Sequence, residues 1–218
     1  MLIATGLPPL TANVTNTVAQ MPGYLSIVEG YRQDLNGQMP RIRALLVPAI
    51  VGALAGVALL RLGGAGTFEA VVPWLVLAAC ALLAVQPRLK ARLQREQGER
   101  TGLSAPLILA VAAGCAYASY FGAAAGVLLL AILAMGITDR LQRLNALNRF
   151  LVLIANGVAV PVLILVSPVD WPSVAVLAPA TLVGGAVGSR VARRLDDRVL
   201  RAAVIVLGVG VAVWLLVR

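Results

Sequence analysis

Long apolar runs separated by short charged clusters set the pattern of this chain. Runs of spanning length occupy Ala44 to Leu60, Ala70 to Val85, Phe150 to Val166, Ser173 to Gly188 and Ala202 to Val217. At a rise of ~1.5 Å per residue each, with its flanks, is long enough to cross a hydrocarbon core of ~30 Å. The stretch from Thr11 to Gly30 is less apolar, because Asn13, Thr15, Asn16, Thr17, Gln20 and Glu29 interrupt it, and Pro22-Gly23 predicts a break. It reads as a further crossing that faces protein or water rather than lipid, since an unpaired polar side chain is costly in hydrocarbon.

The run from Leu103 to Gly136 has 34 residues, too many for one span and too few for two comfortable ones. Small residues fill its middle, Phe121-Gly122-Ala123-Ala124-Ala125-Gly126. Two readings compete: one long tilted helix, or a re-entrant hairpin of two half-helices meeting near mid-membrane. The charged clusters choose between them. With a hairpin, the clusters at Arg32 to Arg43, Arg88 to Arg100, Arg140 to Arg149 and Arg190 to Arg201 share one face, and 16 of the 18 basic residues lie there. With a single crossing the basic residues divide evenly. Basic loops collect on the cytoplasmic side, so the hairpin is favoured. The expected fold is an all-α polytopic membrane protein with six crossings plus one re-entrant broken-helix hairpin, both termini lying outside the cytoplasm.

A shift of 132 residues aligns Asn13-Val14-Thr15-Asn16 with Asn145-Ala146-Leu147-Asn148, and Val51, Gly52, Gly56 and Arg61 with Val183, Gly184, Gly188 and Arg193. Asn occurs only six times, so two Asn-x-x-Asn pairs in one register weigh more than matches among Ala, Leu, Val and Gly. Two repeats of inverted topology are expected, as in many transporters. The first covers residues 1–87, a cytoplasmic linker 88–102, and the second 103–218. The partner of Leu103 to about Ile132 would fall before residue 1, so the first repeat is expected without its hairpin, and Met1 to Leu10 does not read as a signal peptide.

Composition narrows the function. The chain is 60% apolar and 12% charged, about half the charge of an average soluble domain, which excludes a soluble enzyme. The two cysteines, Cys80 and Cys115, lie in apolar runs and histidine is absent, so disulfide frameworks, zinc sites and histidine catalysis are excluded. No cofactor is expected. The net charge of +9 comes from clusters between apolar runs, which suits an anionic lipid surface and not nucleic acid.

Asn13 with Asn16, and Asn145 with Asn148, each lie three apart on one helical face, where amides can donate to an anion or bond to a neighbouring helix. A half-helix starting near Gly122 to Gly126 would offer free N–H groups and a positive dipole end to an anion; the same G-x-x-x-G spacing also permits close helix packing. Arg149 reads as an orientation anchor at a helix end rather than a ligand. Glu29, Glu69 and Asp170 have no obvious partners in the sequence. Asn13, Thr15, Asn16, Gly122, Gly126, Asn145 and Asn148 are the expected substrate-binding residues.

The chain resembles the sulfite exporter TauE/SafE family. The likeness rests on GLPPLTANVTNT (Gly6 to Thr17), EGYRQDLNG (Glu29 to Gly37), YFGAAAGVLLLAILAMG (Tyr120 to Gly136) and RLNALNRFLVLIANGVA (Arg143 to Ala159), with VDWPS (Val169 to Ser173) and VGGAVGSRVARRL (Val183 to Leu195) extending it. The resemblance implies a multi-pass inner- or plasma-membrane carrier of sulfite, sulfonates or other small sulfur-containing organic anions, with duplicated halves and no enzymatic activity. It also places Asn13, Thr15, Asn16, Asn145 and Asn148 in central polar segments. The family carries a Gly-rich broken helix before the GLPP-like stretch, and this sequence starts just after it. A carrier of a non-sulfur anion and a non-transporting membrane subunit or assembly factor remain the alternatives, and self-association into a homo-oligomer stays open.

Overall fold

The computed structural model describes residues 6–95, 103–122, 124–192, 206 and 210. Helices joined by short loops make up those residues, with no strand among them. The helices are α1 (Pro9–Gly30), α2 (Met39–Arg95), α3 (Ala105–Tyr120), α4 (Ala125–Gly136), α5 (Leu141–Val166) and α6 (Trp171–Ala192). Apart from residues 206 and 210, the crossing expected at Ala202 to Val217 lies outside the described residues, as does most of the basic cluster at Arg190 to Arg201.

Helix α1 starts with a proline at its first position, where the missing N–H is no loss. It runs unbroken through Pro22 and Gly23, against the expected break. Proline removes one backbone bond, but the flanking turns are held from outside: Gly23 packs on Thr181 of α6, whose hydroxyl donates to the Ala19 carbonyl at 3.0 Å. Ala12, Val14, Thr15, Val18 and Ala19 are buried along one face, so the helix faces protein as its composition predicts.

Helix α2 contains one non-helical residue, Gly64 (φ 67°, ψ 178°), a conformation almost restricted to glycine. It separates an arm Met39–Gly64 from a second, Gly66–Leu82. The connection between the two arms is thus confined to Gly64 and the residue after it. Val57 and Leu60 of the first arm share a core with Phe68 and Val72 of the second. Two helices, Met39–Gly64 and Gln142–Val166, are long and apolar enough to span a membrane. Leu62 and Leu165 are 85% and 84% exposed, and Val47, Val51 and Leu54 are also exposed along one face of α2. Such stripes suit lipid.

Helices α3 and α4, of 16 and 12 residues, are ~24 and ~18 Å long and neither matches a ~30 Å core. They fold back on each other. Gly114 packs on Leu129, and seven residues outward along both arms Leu107 packs on Gly136, an antiparallel register. The long apolar run is therefore a helical hairpin and not one tilted helix. Its turn uses positive φ at Gly122 (78°) and Ala124 (56°). The outer face of α3 lies against α2 at Gly52 and Gly56, whose missing side chains let the backbone at Ala112 and Ala116 approach.

Two loops far apart in sequence close one end of the bundle. Asp139, between α4 and α5, accepts from Arg41 of α2 and pairs with Arg143 at 3.4 Å. Arg143 Nη2 donates to the Asn36 carbonyl at 3.1 Å, and the fully buried Gln38 donates from Nε2 to the Asp34 and Arg143 carbonyls at 2.8 Å each. The α1–α2 and α4–α5 loops therefore lie together, as a hairpin demands and a single crossing forbids.

Candidate hairpin-tip site

The hairpin tip is gripped from both sides by asparagines. Asn13 of α1 donates from Nδ2 to the Tyr120 carbonyl at the end of α3 (3.2 Å), and Asn148 of α5 donates from Nδ2 to the Gly126 carbonyl at the start of α4 (2.8 Å). Asn148 is 1% exposed. Because Gly126 offers a carbonyl, the amide must point its nitrogen there, and its Oδ1 is left buried without a partner. Phe68 packs against the end of α3, its ring centred 5.8 Å from that of Tyr120 and tilted by 52° to it.

Beside the tip lies a cavity of about 520 Å³, lined by Tyr24 of α1, Gly122, Ala124, Ala125, Gly126, Val127 and Leu130 of the hairpin, and Gln142, Asn145, Arg149 and Val152 of α5. The four α5 residues are spaced three, four and three apart, one face of a helix. The volume falls in the range of small-molecule sites.

Of the sequence-predicted residues, Gly122, Gly126 and Asn145 meet at this cavity, with Asn148 directly behind Gly126. Asn145 also donates to the Tyr31 hydroxyl at 3.0 Å. Asn13, Thr15 and Asn16 do not line it. Asn13 holds the tip; Thr15 is fully buried and accepts from the Asp170 N–H at 3.1 Å; Asn16 is exposed. Asp170 in turn caps α6, its carboxylate accepting from the Ser173 N–H at 3.2 Å, and Glu29 pairs with Arg32. Of the three acids without obvious partners in the sequence, Asp170 and Glu29 therefore have structural ones, and the side chain of Glu69 lies outside the described set.

Two chemical expectations change. The N–H groups of Ala125 and Val127 in the first turn of α4 already donate to the carbonyls of Gly122 and Ala124, so the tip's own turn consumes donors that were expected to be free. Arg149 is not at a helix end. Helix α5 begins at Leu141, nine residues before the apolar run at Phe150, which places Arg149 well inside it. Its side chain lies over the tip: a Cβ at Gly126 would stand 3.4 Å from Arg149 Nη1. Sequence reasoning weighed Arg149 and set it aside, and it missed Tyr24 and Gln142. Spacing from Asn145 along a helix extended N-terminally would have found Gln142.

A family model described as Sulfite exporter TauE/SafE matches residues 1–215. No curated protein and no solved structure matches the chain.

Proposed function

The chain belongs to the sulfite exporter TauE/SafE family of membrane transporters for sulfur-containing anions, and from that premise we propose that it carries a small anion, sulfite, a sulfonate or a related sulfur-containing organic anion, through the hairpin-tip cavity. The observation that carries this reading is the cavity itself: a chamber walled by a broken helical hairpin and by the polar face of α5. Broken helices at mid-membrane are where transporters bind ligand, because irregular backbone at that depth is tolerated only where protein buries it or where it lines a cavity. In this reading six crossings and a re-entrant hairpin sit in the inner or plasma membrane, with the α1–α2 and α4–α5 loops in the cytoplasm. Two inverted repeats alternate access around the tip. Gly122, Gly126 and Asn145 contact the anion, Asn148 and Asn13 hold the tip, and Thr15 supports the α5–α6 connection.

The test is transport by the purified full chain in sealed vesicles, compared across sulfite, thiosulfate, methanesulfonate and acetate. Saturable movement of sulfite and methanesulfonate above acetate is expected. Equal movement of acetate would make it a carrier of another anion class, and no movement of any would favour a non-transporting subunit.

A further inference from the structure

Among the described residues that line the cavity, Arg149 is the one cation and none is acidic. Among the described residues no carboxylate pairs with it, and its Nε is buried without a hydrogen-bond partner. Three of the described acids have other partners. Asp139 is taken by Arg41 and Arg143, Glu29 pairs with Arg32, and Asp170 caps α6. Tyr24, the phenol on the cavity wall, donates to the Gln20 side chain at 3.1 Å. Among the described lining residues, none therefore neutralises the guanidinium. An unpaired cation in a membrane-embedded protein is expensive, and such residues mark ion or substrate paths. An arginine is also suited to tetrahedral oxyanions, because its fork can donate two parallel hydrogen bonds.

We propose that Arg149 holds the transported anion and that its single charge makes the site selective for monoanions. This rests on the anion-carrier reading above. An R–SO₃⁻ group or hydrogensulfite bound to Arg149 gives a neutral pair. Sulfate or another dianion leaves a net negative charge beside hydrocarbon, opposed only by the partial charge at the start of α4. The cavity wall formed by Val127, Leu130 and Val152 then faces the group attached to sulfur.

The test is calorimetric binding to the full chain in nanodiscs, with methanesulfonate as the monoanion and sulfate as the dianion at equal ionic strength. Methanesulfonate is expected to bind at least about tenfold more tightly than sulfate. Arg149→Gln is expected to weaken methanesulfonate binding by about tenfold or more, the usual worth of a hydrogen bond to a charged group, while Arg149→Lys keeps most of it. Rescue by lysine separates a charge role from a packing role. Equal or tighter sulfate binding by the wild-type protein overturns the monoanion rule, and this comparison stands even if Arg149→Gln does not fold. Unchanged methanesulfonate binding in folded Arg149→Gln overturns the role of Arg149. Both results leave the anion-carrier reading intact, whereas a wild-type protein that binds none of methanesulfonate, sulfate and sulfite overturns that reading and this one together.

Discussion

Substituting Gly52 by alanine tests the seam that positions the hairpin. The added methyl carbon would overlap the Ala112 carbonyl oxygen and stand 2.8 Å from its carbon and 3.0 Å from its Cα, where ordinary carbon contacts need ~3.5–4.0 Å. The obstacle is backbone, so no rotamer change relieves it, and α2 and α3 must part by roughly 1 Å. Overpacking of this kind costs about 1–3 kcal/mol. Gly56, one turn along, meets Ala116 in the same way, at 2.9 and 3.0 Å. One displacement of the helices relieves both clashes, so the double variant should lose less than the sum of the singles. Gly66 has nothing within 4 Å of the position a Cβ would take, and Gly66→Ala should be neutral or stabilising by up to ~1 kcal/mol through helix propensity. Steric-trap unfolding of the full chain in bicelles measures all four variants. Because α3 ends at the carbonyl that Asn13 holds, transport should fall with stability in the Gly52 and Gly56 variants only. Gly52→Ala as stable as wild type, or a strictly additive double variant, would refute the close seam.

Three other outcomes are expected. Single cysteines at Arg95 and Ser189 should be labelled from the cytoplasmic side and one at Ala65 from the opposite side; position 189 labelled opposite to 95 would restore the single crossing and remove the inverted repeat. Gly126→Ala should stabilise α4 by up to ~1 kcal/mol, yet lower anion affinity because its methyl sits 3.4 Å from Arg149 Nη1; Gly126→Val should lower affinity further, and normal binding by the folded valine variant would falsify the tip site. Burial pushes the Asp139 carboxyl up, but the hydrogen bonds from Arg41 and the Arg140 N–H and the charges of Arg143 and Arg41 outweigh it and hold the group below its ordinary value. Its pairing therefore contributes stability above roughly pH 4, the unfolded value, and loses it as pH falls through the lower folded one. Melting curves of wild type and Asp139→Asn should differ at pH 7 and converge at acid pH; a constant gap would show that the carboxylate's charge is not what ties the loops.

How much of this was legible in the sequence depended on whether a feature is local. The hairpin was, because a largely apolar run of 34 residues with a glycine-alanine centre fits few geometries and the arginine clusters discriminate between them. Gly52 and Gly56 were visible only as markers of a repeat; that they are a contact surface depends on which residues of α3 face them. The extent of α5 was not legible from apolarity. Its first turns are polar because they line the cavity and meet the α1–α2 loop, so an apolar window starts at Phe150, after the residues that matter most. That boundary shift moved Arg149 from the membrane edge to the cavity. The asparagine spacing could not assign partners: Asn13 and Asn148 bind the hairpin's own backbone, Asn145 bonds to Tyr31 and Asn16 is exposed.

Those two bonds bear on mechanism. The tip is tied to α1 through Asn13 and to α5 through Asn148, while α1 is tied to α6 through Thr181 and α5 to the α1–α2 loop through Arg143. If α1 and α5 tilt relative to each other in the proposed transport cycle, the tip cannot stay bonded to both in an unchanged geometry. Because both anchors are neutral amides bonded to carbonyls, each bond has a net worth of only about 0.5–1.5 kcal/mol, small enough to exchange thermally during a cycle. A rigid scaffold would gain from stronger or apolar anchors at these points. Arg149, on the same helix as Asn148 and one residue beyond it, moves with whichever side α5 follows, so a change at the tip and a change in the anion's main charge contact occur together. Replacing Asn148 by leucine should therefore alter transport rate as well as affinity, because it frees the tip from the helix that carries the cation, whereas Asn13→Leu should slow transport while leaving methanesulfonate affinity within a few-fold of wild type. Affinity lost equally in both variants would mean that the tip, and not Arg149, carries the binding energy.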